Sequence, residues 1–283
     1  MADYDDDDDL YEKSRTYWNR IAPNIDGMLG GWSNINTSDV DESRKLLRIL
    51  LKPINQSNNR QLRCLDCGAG IGRVSKYVLS KFFDEIDLLE QNETFILKAK
   101  DFLGNDYHRV KNTFIQGMQE FTPIDGIIYD CIWGQWVYGY LTDEDLILFL
   151  EKCLRILNKQ HGFIVIKDNV SGNNDPYVDE EDGFVTRTET QFLNIFSKVP
   201  NLIIKNIFRQ KRMPKELLPV KMFVLVHQHS NINHYLNIDR NKKMANIEKF
   251  KRSFELIKQF TIQTPKISGQ LPSEKSLISP KYL

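Results

Sequence analysis

The sequence contains no apolar run of 18 residues, and its first ten residues, MADYDDDDDL, carry six aspartates in place of a basic start followed by an apolar stretch. Neither a membrane span nor a cleaved secretory signal is indicated, so a soluble protein of the cytoplasm or nucleus is expected. Cysteine is scarce. Cys64, Cys67, Cys131 and Cys153 all lie in apolar segments, which reads as reduced, buried thiol. The pair in CLDC has no second pair nearby and falls in an apparent strand, so neither a zinc site nor a redox couple is expected there. Histidines 227, 229 and 234 open a polar tail, and no metal site is read from them. Also missing are the G-K-[ST] of a P-loop and the full dinucleotide G-x-G-x-x-G, which argues against nucleotide hydrolysis and hydride transfer.

What is present is enough apolar sequence for one substantial core. The 283 residues are 41% hydrophobic and 27% charged, and a chain of that size buries one large core with room for an appendage. The formal net charge of zero hides an asymmetry: from His229 onward ten Lys/Arg face four Asp/Glu. The acidic head 1–10 should repel itself and stay disordered. In the tail 229–283, Ile247, Phe250, Phe254, Ile257 and Phe260 recur at helical spacing, predicting a helix over 245–260. Its basic charge makes nucleic acid a conceivable partner, yet the aromatic and basic interleaving such binding uses is absent.

Between the ends the chain alternates. LRCLDCG, EIDLLE, KNTFIQG, YDCIWGQW, HGFIVIKD, NLIIKNIF and KMFVLVH read as strands, with helical patterns at Asp143–Leu157 and Glu189–Phe196. Near-continuous apolar strands predict an α/β fold, a sheet covered on both faces with ligands beyond the strands' carboxyl ends. Two helices, Leu10–Asn19 and Asp39–Leu51, precede it as an N-terminal cap over 11–51, the second capped by Ser38. One domain then runs over 11–228, the cap included.

After the first strand, LDCGAGIGR places Gly68, Gly70 and Gly72 in a turn entering a helix, where missing side chains let a ligand approach backbone amides. Glu90 ends the second strand about twenty residues on, where such folds bind ribose hydroxyls. Together these predict a nucleoside-containing cofactor. Arg73 stands where a dinucleotide site has its third glycine.

YWNRIAPNIDGMLGGWSNI, LDCGAGIGR, IWGQWVYGYLTD and IVIKDN together resemble the protein α-N-terminal methyltransferases, over about Tyr17 to Val226. The resemblance implies a Rossmann-like class I methyltransferase with a mostly parallel seven-stranded sheet, S-adenosylmethionine as cofactor and S-adenosylhomocysteine as product. It implies protein substrates with free X-Pro-Lys or X-Pro-Arg N-termini, no membrane, and a monomer. By the same resemblance Gly68, Gly70 and Arg73 hold the methionine end of the cofactor, Glu90 the ribose, Gln119 the adenine side and Gln135 the side nearest the substrate. Trp18, Leu29 and Trp136 wall the peptide channel, with Trp133 read as core. Asn169 orients the substrate backbone, Asp179 meets the cation at position three, and Asp182 contacts the α-amine.

Two positions depart from the family pattern. Tyr140 stands where a histidine commonly pairs with the aspartate, and Gly183 and Phe184 stand where a serine follows it. A phenol of pKa about 10 is a poor base at neutral pH, so deprotonation would rest on Asp182 with Tyr140 positioning it. A small-molecule amine or oxygen methyltransferase, or a non-catalytic cofactor-binding scaffold, stays open at this point.

Overall fold

The computed structural model describes residues 7–55, 61–172 and 175–234. Among the described residues nine strands and seven α-helices are formed in this order: α1 Asp7–Trp18, α2 Ile25–Met28, α3 Asn36–Asn55, β1 Arg63–Cys67, α4 Arg73–Tyr77, β2 Glu85–Leu89, α5 Glu93–Leu103, β3 Val110–Phe114, β4 Cys131–Gln135, α6 Asp143–Ile156, β5 Phe163–Asn169, β6 Tyr177–Val178, β7 Val185–Thr186, α7 Glu189–Lys198, β8 Leu202–Arg209 and β9 Val220–His227. Seven strands make one sheet in the order β3-β2-β1-β4-β5-β9-β8, and β6 and β7 make a separate hairpin. Five are parallel neighbours; β9 runs antiparallel to both β5 and β8. This is the expected mostly parallel seven-stranded sheet.

Strand alternation sorts the side chains. Leu65, Ile132, Ile164, Ile166 and Phe223 join Phe149 and Leu150 of α6 and Phe192 and Phe196 of α7 in one buried cluster. Each such side chain removed from water contributes roughly 1.5–3 kcal/mol. The opposite face carries Trp133 and Gln135 of β4, in register with Val165 and Lys167 of β5. That face meets α3, because Gln135 bonds to Asp39 and Lys167 to Ser43.

The helices start where their caps stand. Thr142 accepts from the Asp145 N–H at the head of α6, followed by Asp143, Glu144 and Asp145, whose charges suit a helix N-terminus. Thr188 and Gln191 form a reciprocal capping box on α7. Two boundaries correct the sequence reading. Helix α1 begins at Asp7, inside the head expected to be disordered, and α3 begins at Asn36, so Ser38 lies within its first turn. The Ser38 hydroxyl donates back to the Ile35 carbonyl and does not cap. The predicted tail helix 245–260 lies outside the described residues, as does most of the tail. Among the described residues no helix is long and apolar enough to cross a membrane, no group of His, Cys, Asp and Glu could hold a metal, and all four cysteines are free and buried.

Candidate active site

The strand order reverses between β1 and β4, and the crevice beyond their carboxyl ends is where such sheets take ligands. The glycine turn leaves β1 there. Gly68, Gly70 and Gly72 have φ of 64°, 55° and 77°, a region that costs a residue with a Cβ. A Cβ on Gly68 would lie 2.5 Å from the Val137 side chain, and one on Gly70 would lie 2.6 Å from the Met28 sulfur. Both glycines therefore serve close packing against the loop after β4 and against the cap.

Glu90 binds the turn. Its Oε2 accepts the Gly70 N–H at 2.9 Å and its Oε1 accepts the Asn92 N–H at 2.9 Å. Burial raises its pKa against the pull of these donors. Each oxygen keeps a lone pair for a hydroxyl. Asn92 in turn caps α5 through Phe95 N–H and donates to Asn19 of the cap. A cleft of about 270 Å³ opens beside this junction, lined by Arg15, Trp18, Asn19, Gln91, Asn92, Glu93 and Thr94.

Deeper in the crevice lies a charged cluster centred on Asp39 of α3. Asp39 Oδ2 accepts from Arg73 Nη1 at 2.7 Å, and Oδ1 accepts from Gln135 Nε2 at 2.9 Å and from Lys167 Nζ. Lys167 also donates to Ser43 Oγ at 2.8 Å. Arg73 donates further to Asn36 Oδ1 at 3.0 Å. All these side chains except that of Asn36 are at least nine-tenths buried. Burial alone would push the Asp39 carboxyl up, but Lys167 and Arg73 hold it down to about 2. For Lys167, burial lowers the pKa against the attraction of Asp39. Resemblance gives Arg73 the cofactor carboxylate; in the structure Asp39 and Asn36 also engage it, both through Nη1.

Trp136 covers this cluster. Its ring lies 5.5 Å from the Arg73 guanidinium carbon and 5.9 Å from Lys167 Nζ. Its backbone sits at φ 56°, a costly conformation for a bulky residue and one that concentrates at functional sites. The Trp136 N–H donates to the Lys167 carbonyl at 2.9 Å.

A second constellation lies on the β6–β7 hairpin and the turn after β4. Residues 179–184 form the hairpin loop, closed by Asp179 N–H to Phe184 O and Gly183 N–H to Asp179 O, both 2.9 Å. Tyr140 donates its hydroxyl to Asp182 Oδ2 at 2.6 Å, and the Phe184 N–H donates to Oδ1 at 2.8 Å. Burial raises the Asp182 pKa, partly offset by these two donors and reinforced by Asp179 and Glu181. Burial and the Asp182 charge push the Tyr140 phenol well above its ordinary range. The Phe184 ring stands edge-on to Tyr140 at 4.9 Å, and Trp18 meets the Tyr140 ring at 6.2 Å. Gly139 is required under it, since a Cβ there would lie 2.5 Å from the Phe184 ring.

Other expected residues scatter. Asn169 ends β5, buried, its N–H on Asp168 Oδ1 at 2.8 Å. Asp179 is half-buried and accepts the Glu181 N–H. The Gln119 side chain folds over Gly117. Leu29, expected to wall a channel, is fully buried in the tight cap segment after α2, and Trp133 is core as expected.

Sequence reasoning missed Asp39, Lys167, Asp168 and Arg187. Arg187 is buried and holds the turn bearing Tyr140, donating to the carbonyls of Tyr138 at 2.9 Å and Leu141 at 2.6 Å and to Asp143 at 2.8 Å. Asp168 accepts the Tyr138 N–H, and burial carries it up to about 7. The signal available was a lysine and an aspartate at the end of a wholly apolar strand, since charged groups are seldom buried unless paired.

Residues 6–226 match the family described as AdoMet dependent proline di-methyltransferase. The chain belongs to that family. It is 40% identical over 222 residues to human N-terminal Xaa-Pro-Lys N-methyltransferase 1, covering 78% of this chain and 97% of that one. It is 38% identical over 223 residues to alpha N-terminal protein methyltransferase 1 of Caenorhabditis elegans, covering 79% and 93%. Among solved structures, a SAM-dependent methyltransferase from Leishmania major superposes with a TM-score of 0.68 at 31% identity, covering 76% of this chain and 82% of that one.

The methyltransferase thus uses S-adenosylmethionine and releases S-adenosylhomocysteine. Its crevice fits an α-amino-acid end: among the described residues Gln135 Oε1 and Trp136 Nε1 are buried without a hydrogen-bond partner, and the cluster holds two cations against one carboxylate. Such orphaned groups cost free energy until a ligand satisfies them.

Proposed function

We propose that this methyltransferase modifies the free α-amine of protein N-termini reading X-Pro-Lys or X-Pro-Arg. The observation that carries the reading is the Tyr140 to Asp182 hydrogen bond of 2.6 Å, which ties a carboxylate of the hairpin loop to the turn after β4, where the Tyr140 ring meets Trp18. The substrates named for the human relative support it.

S-adenosylmethionine, when bound, supplies an electrophilic methyl group on a sulfonium. The protein's task is to present a neutral amine to it. An α-amine has a pKa of about 7.7–8.0, so one proton must be taken or held aside. Asp182 does this. Each of its oxygens already accepts one donor and keeps a lone pair facing the amine. Burial and the Asp182 charge make the Tyr140 phenol too weak an acid to ionise, so it donates to Asp182 and orients the carboxylate without serving as the base. Trp18 and Trp136 offer flat faces to the proline ring at low entropic cost. Asp179 meets the cation at position three, and Asn169 orients the first residue's backbone. A monomer acting in the cytoplasm or nucleus goes with this reading.

The test is mass spectrometry of a free-amine Ser-Pro-Lys peptide incubated with S-adenosylmethionine, alongside its N-acetylated twin and the Asp182→Asn enzyme. Methyl gains on the free amine alone, lost in the variant, are expected. Methylation of the acetylated peptide, or none of either by the wild type, overturns the reading in favour of a small-molecule acceptor.

A further inference from the structure

Asp39 collects donors from three parts of the fold: Arg73 at the start of α4, Gln135 at the end of β4 and Lys167 in β5. Asp39 itself comes from the cap. One carboxylate thus links the cap to the residues that flank the ligand crevice.

Three consequences follow from the chemistry. The amide of Gln135 has only one workable orientation, because the reverse would set its oxygen against a carboxylate. Oε1 is therefore turned away from Asp39, and it has no partner among the described residues. Arg73 is anchored through Nη1, and the rest of its fork has no hydrogen-bond partner among the described residues. Lys167 shares Asp39 with Arg73, so the two cations carry one charge more than the carboxylate between them. Among the neighbouring carboxylates, Asp66, which feels the Arg73 charge, is bound by the Ser75 hydroxyl, Glu90 by the Gly70 and Asn92 N–H groups, and Glu42, which feels the Lys167 charge, by Lys45 and Arg212. The crevice wall is left with one positive charge in excess, one orphaned acceptor and one orphaned indole donor. That is the complement of a zwitterion whose carboxylate meets Arg73 and whose ammonium meets Gln135 Oε1.

We propose that Asp39 and Lys167 are positioning residues for the α-amino-acid end of the cofactor, acting through Arg73 and Gln135. Neither needs to touch the ligand. The inference rests on the cofactor class alone and stands apart from the identity of the methyl acceptor.

Two ligands separate positioning from plain stability. S-adenosylhomocysteine carries the α-amino-acid end; 5′-methylthioadenosine lacks it and shares the nucleoside. Isothermal titration of the full-length protein should give tight binding of the first and weaker binding of the second. In Asp39→Asn the affinity for S-adenosylhomocysteine should fall about tenfold to a hundredfold, in line with losing organised hydrogen bonds to charged groups, while 5′-methylthioadenosine binds as before. Because a lone Lys167 in the interior threatens folding, Asp39→Asn/Lys167→Met is the second variant. It should show the same selective loss. Equal weakening of both ligands in the double variant would reduce the pair to a structural role, and wild-type affinity for S-adenosylhomocysteine would overturn the proposal. Selective binding loss in the variants, beside a wild type that binds S-adenosylhomocysteine but fails to methylate the Ser-Pro-Lys peptide, would reject the substrate reading and leave this one intact.

Discussion

Asp39 and Asp182 are the same residue in opposite circumstances. Asp39 is 1% exposed and accepts from two cations and an amide, and against the upward push of burial the two cations hold its carboxyl down to about 2. Asp182 is half-buried, accepts only a phenol and a backbone N–H, and is displaced upward by burial. The number of buried cations within reach decides the direction. A carboxylate with two of them is a fixed charge, suited to holding other groups still. One with none retains proton affinity and free lone pairs, suited to meeting an ammonium.

The contrast breaks most visibly at Asp182. Asp182→Asn should lower kcat on a free-amine X-Pro-Lys peptide by about 10²–10⁴, with an unchanged urea midpoint, since general-base contributions are of that size. Loss of stability in step with loss of rate would make Asp182 structural like Asp39. The converse experiment is Asp39→Ala, which leaves Lys167 buried without its counter-charge and should cost about 3–5 kcal/mol in urea unfolding. Lys167→Met in that background should recover part of it.

Smaller effects sharpen the account of the hairpin. Exchanging the position-three lysine of the peptide for glutamine should raise KM about tenfold if Asp179 meets that cation, with kcat little changed. Equal KM for both peptides removes Asp179 from this role. Tyr140→His tests who takes the proton. The phenol, held well above its usual range, cannot accept one near neutral pH. Activity of the wild type should therefore fall as pH drops below the amine's own pKa. An imidazole of pKa about 6.5 adds a base, so the acid limb of the kcat/KM profile should move down by about one unit. An unmoved profile places Tyr140 outside the amine site.

The sheet was legible because its strands are nearly continuous apolar runs separated by helical patterns, and the glycine turn because positive φ at three positions leaves few alternatives. The start of α3 was harder. Ser38 has the chemistry of a cap, but Asn36 begins the helix and the Ser38 hydroxyl turns back to Ile35. Asp39 in an acidic first turn reads as a charge favouring the helix dipole, a role that exposed aspartates fill everywhere. Lys167 reads as strand punctuation. Nothing in linear spacing joins residues 39, 73, 135 and 167.

Local sequence determined the seven sheet strands, the glycine turn and the helices α6 and α7, because backbone conformation, capping and side-chain periodicity act over a few residues. Resemblance located Tyr140 beside Asp182 and marked Phe184 as a departure. Only the tertiary structure decided that Arg73 is shared with Asp39, that Gln135 turns its oxygen outward, and that Leu29 is buried. Those outcomes depend on which charges and orphaned polar groups meet once water is excluded, and burial makes such meetings strong enough to set the geometry of the site.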